Sequence, residues 1–280
     1  MINYLLFLYR LSRPRFWLYI AGTYVVGYAA GITSLRDFLN PQFFVYVFFF
    51  LIPANIFLYG VNDLYDGDTD QFNQKKRVQE QLLVVSQIVK LRITLLVITM
   101  VNVGVLIIAN SVLVALLLCL FYFLSYFYSA PPLRFKAHPG IDFISNLLYG
   151  LPGFIGYAQI VGHLPPWPIM IGVCCWTWAM HLFSAVPDIS SDAKAGLSTT
   201  AVVLGVRQSL VLCLVLWLIS VLVVWLYFPI SILGFMALAY LFIPSYLLLY
   251  PGHVQKAYWY FPILNTIVGF VLFTSVLFLF

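Results

Sequence analysis

Apolar residues run in stretches of about twenty along almost the whole chain, each interrupted by a few polar residues. That length crosses the hydrocarbon core of a bilayer as a helix. Nine such spans can be drawn: 16–32, 43–61, 92–109, 112–128, 141–161, 168–186, 208–227, 229–250 and 258–279. No polar segment between them is long enough for a soluble domain. The pattern therefore predicts an all-α polytopic membrane protein, one integral-membrane domain over residues 1–280, with nine helices around a central cavity. A mean hydropathy of +1.00, with only 8% charged residues, agrees with this class.

Charge placement orients the spans. With the N-terminus inside, thirteen of the fourteen Lys and Arg residues fall on the inner side, and Arg36 alone falls outside. The positive-inside rule is met, so the net charge of +5 reflects topology and not nucleic-acid binding. The first span follows Arg10, Arg13 and Arg15 without a small-residue cleavage site, and is read as retained. Cys119, Cys174, Cys175 and Cys213 lie inside apolar runs without metal-ligand spacing.

The acids need a separate cause, because the rule does not ask for them. Six of the nine lie in two clusters: Asp63, Asp66, Asp68 and Asp70 after the second span, and Asp188 and Asp192 after the sixth. Carboxylates this close to hydrocarbon are costly and point to function. Asn55, Tyr59, Asn62, Asp66 and Asp70 fall at steps of four, three, four and four, one stripe on a helix; His181, Ser184, Asp188 and Asp192 repeat the pattern. Asp63 and Asp68 leave the stripe and are assigned to an outer shell or solvent. The clusters end spans four apart, which suggests two four-helix halves plus a ninth helix.

Facing carboxylates at partly buried helix ends repel one another unless cations intervene. Oxygen ligands suit a hard cation, and Mg²⁺ is the usual choice where phosphate oxygens complete the shell. Calcium storage is the other metal reading, but the closing Glu of a calcium-binding loop is missing. Lys75, Lys76, Arg77, Arg134, Lys136 and Lys194 offer further charge for a bound diphosphate. His181 stands open as a satisfied core histidine, a partner of Asp188, or a base. An ion-coupled transporter would place ionisable groups near the bilayer midplane, and no Asp, Glu, Lys or Arg lies there. A non-catalytic scaffold has no reason to duplicate the clusters.

Asn62-Asp63-x-x-Asp66-x-x-x-Asp70 resembles the first Asp-rich motif of the UbiA superfamily of intramembrane prenyltransferases. Asp188-x-x-x-Asp192, with the following Ala193-Lys194-Ala195-Gly196 and Ser198-Thr199-Thr200-Ala201, resembles the second. Tyr128-Ser129-Ala130-Pro131-Pro132-Leu133-Arg134-Phe135-Lys136 is similar to the basic loop after the fourth span. It departs from the Tyr-x-x-x-Lys spacing of some members, since Pro132 stands four places after Tyr128; the basic role falls to Arg134 or Lys136.

The resemblance implies Mg²⁺ held by Asn62, Asp66, Asp70, Asp188 and Asp192, in a bacterial or archaeal cytoplasmic membrane with the site facing the cytoplasm. It implies catalytic roles for Asp66, Asp188, Arg134, Lys136 and Lys194. Contacts with an allylic prenyl diphosphate or a lipophilic acceptor would come from Asn55, Tyr59, Tyr128, His181, Ser184, Lys75 and Arg77. The run Met180–Ile189 is similar to the lycopene elongase branch, which adds a five-carbon unit to a carotenoid. The alternative is an aromatic prenyltransferase of quinone biosynthesis, with a hydroxybenzoate or naphthoate acceptor. Few polar residues besides those of the motifs are available to recognise such a headgroup: Asn55, Asn146, Gln159, His181 and Asn265.

Overall fold

The computed structural model describes residues 2–66 and 87–278, with side chains from Tyr4 onward. Fourteen α-helices appear among them: α1 (Ile2–Leu11), α2 (Trp17–Gly31), α3 (Pro41–Leu51), α4 (Pro53–Tyr65), α5 (Ile88–Ile107), α6 (Val112–Phe127), α7 (Ile141–Ile144), α8 (Leu151–Val161), α9 (Trp167–Ala185), α10 (Ile189–Lys194), α11 (Thr200–Tyr227), α12 (Ile232–Ala237), α13 (Ala239–Leu249) and α14 (Val254–Leu277). Strands are absent from the described residues. Six helical stretches there are long and apolar enough to cross a membrane, namely Pro41–Tyr65, Ile88–Ile107, Trp167–Lys194, Thr200–Tyr227, Ile232–Leu249 and Pro251–Leu277. Val112–Phe127 and Leu151–Val161 are shorter apolar helices.

Local chemistry sets the helix ends. Asn40, Ser111, Thr199 and Ser231 cap α3, α6, α11 and α12 by accepting backbone N–H groups of the first turn. Pro53 ends α3 and starts α4, because proline brings no N–H to a continuing helix. Asn55, fully buried, donates its Nδ2 to the carbonyls of Phe50 and Leu51 at this break.

Two expectations need correcting. The span 141–161 is not one helix: α7 is a single turn, a 3-10 stretch covers Ser145–Tyr149, and α8 starts afresh beside Pro152. Ser145 Oγ and Asn146 Nδ2 both donate to Asp142 O, offering the backbone an alternative to helical bonding. The sixth stripe is also not one regular helix. Pro187 stands in a 3-10 turn over Val186–Asp188 between α9 and α10, so the α-helical repeat assumed from His181 to Asp192 is interrupted.

Two compact units divide the chain. The first covers residues up to Arg134 together with Leu151–Leu164, and so holds α1 to α6 and α8. Its core joins Phe7 and Leu11 of α1 to Ile56, Phe57 and Val61 of α4 and to Leu91, Leu95 and Ile98 of α5. In the same unit α2 and α8 meet at their backbones: a Cβ on Gly27 would stand 1.9 Å from Gly153 O. Small residues permit that approach where lipid removes the usual hydrophobic drive between helices. The second unit covers Phe135–Gly150 and the chain from Pro165 on. Here α9 packs on α11, and Phe183, Trp217, Tyr240 and Phe261 form a ring cluster with centroids 4.9–6.0 Å apart.

Candidate functional site

The first acid cluster begins on the last turn of α4. Asn62 Oδ1 is buried and accepts no hydrogen bond from the described residues. A buried carbonyl oxygen without a donor carries a desolvation cost that a hard cation would relieve. Asp66 caps the helix C-terminus, its N–H bonded to Asn62 O, and its buried Oδ2 accepts the Ser129 hydroxyl at 3.3 Å. The C-terminal end of a helix dipole disfavours a carboxylate, so Asp66 sits where a cation is needed. These oxygen donors fit a divalent metal. Asp68, Asp70, Lys75, Lys76 and Arg77 lie outside the described residues. No group of three or more His, Cys, Asp or Glu side chains converges among the described residues.

Asp63 does not face solvent. It is buried and ion-paired with Arg13, Nη2 to Oδ1 at 2.8 Å. The same guanidinium lies 4.4 Å above the centre of the Tyr59 ring, which also meets Phe16. Tyr59, expected against substrate, is therefore part of the packing around Arg13. Sequence reasoning read Arg13 only as a topology charge; no spacing within one helix links it to Asp63, fifty residues away.

In the second unit, Asp188 closes the 3-10 turn and precedes α10, and its carbonyl accepts the Ser191 hydroxyl. Asp188 and Asp192 are both half-buried. Beyond Asp192 the helix ends in a tight reversal: Gly196 N bonds Ala193 O, Leu197 N bonds Asp192 O, and Gly196 takes φ +72°. Such a left-handed cap favours glycine, which explains Gly196 in the motif's tail. Lys194 is exposed. Ser184 donates its hydroxyl to His181 O on its own helix, and His181 is half-buried within electrostatic reach of Asp142.

Asp142 is the second residue that sequence reasoning missed. It is buried, and its carboxylate accepts the backbone N–H and the hydroxyl of Thr200. The sequence signal was slight: an acid two places after Gly140 of a Pro139-Gly140 turn.

The basic loop ends the first unit and opens the second. Tyr128 caps α6 half-buried, Ser129 reaches Asp66, and Arg134 turns through a left-handed conformation with its N–H on Ala130 O. Arg134 is half-buried and Lys136 is buried at 7% exposure, which sets both apart from exposed Lys194. Three interior amides are bonded within the protein, while the buried Asn55 Oδ1 and Asn102 Oδ1 accept nothing among the described residues. Gln159 accepts from Tyr24, Asn146 donates to Asp142 O, and Asn265 accepts from Tyr240. In the loop after α2, the backbone N–H groups of Thr33 and Ser34 hold the Asp37 carboxyl below its usual range.

A model of the UbiA prenyltransferase family matches residues 20–260. The lycopene elongase/hydratase of Haloferax volcanii is 40% identical over 272 residues, 96% of this chain and 87% of that protein. That of Haloarcula japonica is 39% identical over 265 residues, 95% of this chain and 89% of that protein. The structure of a UbiA homolog from Archaeoglobus fulgidus bound to DMAPP and Mg²⁺ superposes with a TM-score of 0.69 at 25% identity, covering 95% of this chain and 98% of that one. With a family model matched over most of its length and an acid motif at the end of α4 and another around α10, the chain belongs to the UbiA prenyltransferase family, integral membrane enzymes that transfer prenyl groups.

Proposed function

We propose that this enzyme transfers a five-carbon prenyl group from DMAPP to lycopene within the membrane, with Mg²⁺ as its cofactor. The observation that carries this reading is the 40% identity, over 96% of the chain, to a lycopene elongase/hydratase. The bonded state of three interior amides supports it: an aromatic acid needs polar partners, whereas a hydrocarbon acceptor needs only an apolar lining, and Gln159, Asn146 and Asn265 already bond Tyr24, Asp142 O and Tyr240.

Asn62, Asp66, Asp70, Asp188 and Asp192 hold the metal in this reading, and the buried Asn62 Oδ1 supports the assignment. Bound Mg²⁺ neutralises the diphosphate and makes it a good leaving group. Arg134 and Lys136 place fixed positive charge on the departing diphosphate, with Lys75, Arg77 and Lys194 adding charge at the rim. As the carbon–oxygen bond breaks, its electron pair leaves with the diphosphate. A terminal double bond of the acceptor supplies the electrons for the new carbon–carbon bond, and the acceptor cation loses a proton or takes up water. Apolar helices keep water from the allylic cation until that bond has formed.

The fold in this reading is one membrane domain of nine spans: the six long stretches, the two shorter apolar helices and α2. The N-terminus and both acid motifs face the cytoplasm of a bacterial or archaeal cell, which the distribution of Lys and Arg supports. Expression in a lycopene-accumulating host tests the acceptor. Carotenoids longer by five-carbon units are expected, and unchanged pigment beside prenylated hydroxybenzoate or naphthoate overturns the reading.

A further inference from the structure

The N-terminal segment is built to deliver one charge. Helix α1 is seated by Phe7 and Leu11 in the core of α4 and α5, and Tyr4 bonds Thr94 at 2.8 Å. Ser12 follows, fully buried, its hydroxyl on Tyr9 O, and the Trp17 indole N–H reaches both Ser12 O and Ser12 Oγ at 3.0–3.1 Å. Next comes Arg13, at φ 46° and ψ 73°. A side chain larger than glycine pays about 1–2 kcal/mol for that left-handed conformation, so its surroundings must hold it there. Those surroundings are the Asp63 carboxylate at 2.8 Å and the Tyr59 ring at 4.4 Å.

Asp63 lies between Asn62 and Asp66 in sequence, on the same last turn of α4. Left unpaired, it would be one more buried carboxylate beside oxygens that suit a divalent cation. It would then offer metal a wrong ligand, or repel Asp66. Arg13 satisfies it from the side. Its guanidinium is planar and stays charged, so it can pair with the carboxylate and stack on Tyr59 at once, which an ammonium cannot do.

We propose that Arg13 is a positioning residue for the metal site: it ties Asp63 out of metal coordination and fixes the charge beside Asn62 and Asp66. This rests on the Mg²⁺-binding role proposed above. The inference divides the first acid motif into one structural acid, Asp63, and metal-facing acids. It also gives the N-terminal helix a task in the reaction beyond topology.

The charge argument gives opposite signs for the two single variants. Arg13→Met removes one positive charge beside Asp63, so divalent metal binds more tightly, but in a geometry that lowers kcat. Asp63→Asn removes one negative charge beside the site and weakens metal binding. The double variant Arg13→Met/Asp63→Asn returns binding towards wild type. The probe is Mn²⁺, titrated by electron paramagnetic resonance into full-length protein in nanodiscs, without substrate. Shifts of about three- to tenfold in Kd are expected for charges at this distance and burial. Arg13→Lys, which keeps the charge and gives up the stacking, should stay within about twofold of wild type and guards against loss of the fold. A purely structural role moves both single variants in the same direction, together with their Tm. Same-direction shifts, or no Mn²⁺ binding by the wild type, overturn the proposal. Opposite shifts in a protein that transfers no prenyl group leave it standing and remove the functional reading instead.

Discussion

Asp142 and Thr200 are joined twice. Oδ2 of the carboxylate accepts the Thr200 backbone N–H at 2.6 Å, Oδ1 takes the Thr200 hydroxyl, and that hydroxyl accepts Gly140 N–H at 2.6 Å. The start of α11 is thereby fixed to the turn before α7, and the chain between Asp192 and Thr200 is held at its far end. Asp142→Ala removes both acceptors and leaves a buried backbone N–H unpaired. Bonds to a charged acceptor and such orphaned donors put the loss at about 2–4 kcal/mol. Thermal unfolding in detergent should show Tm falling by several degrees. An unchanged Tm would mean that the buried pairing contributes nothing to stability.

Asp66→Asn and Asp188→Asn each exchange a carboxylate proposed as a metal ligand for a neutral amide while keeping shape. Turnover of DMAPP should fall by more than about 100-fold in either, with little change in Tm. Steady-state rates at saturating Mg²⁺ check this. Full activity in either variant would remove that acid from the metal site.

Gly27 meets Gly153 O across the α2–α8 contact, and a Cβ there would lie 1.9 Å from that oxygen. Gly27→Ala must separate two helices or bend one, since the obstacle is backbone. Overpacking of this kind costs about 1–3 kcal/mol, and a rigid obstacle puts it at the upper end. A lower Tm is expected, with the Tyr24–Gln159 bond of the same contact weakened alongside. Gly104, whose Cβ would meet nothing within 4 Å, should accept alanine without loss.

Asp37 supplies a pH signature in the loop between α2 and α3. Its carboxyl is held low by the Thr33 and Ser34 N–H groups, so the ionised form is favoured in the folded protein. The stabilisation is present above the unfolded value of 3.8 and is lost as pH falls through the lower folded value. The Tm advantage of wild type over Asp37→Asn should hold at neutral pH and shrink below about pH 4. A constant difference across that range would contradict the assignment.

Much of the fold was legible because membrane helices advertise themselves by length and hydropathy. Span 16–32 becomes α2, and 112–128 becomes α6, each within a residue or so. The acid motifs were legible as charges with no reason to be where they are. What escaped was whatever depends on contacts between distant segments. The break at Ser145–Gly150 arises from side chains bonding back to Asp142 O, and hydropathy does not register it. Asp63 looked peripheral because a helical stripe counts only its own helix, while its partner Arg13 comes from a different one. Asn55 looked like a recognition residue because it is polar and apolar-flanked; that its Nδ2 also ties the Pro53 break could not be read from the sequence. Asp142 was one acid among nine until burial and Thr200 gave it a partner.

Purified protein in nanodiscs, given DMAPP, lycopene and Mg²⁺, tests the central claim most directly, with the pigments followed by mass spectrometry. Products heavier than lycopene by one or two five-carbon units, with or without added water, should form with Mg²⁺ and disappear in excess chelator. Unchanged lycopene in a preparation that prenylates hydroxybenzoate or naphthoate, or equal product with the metal chelated, would contradict the account.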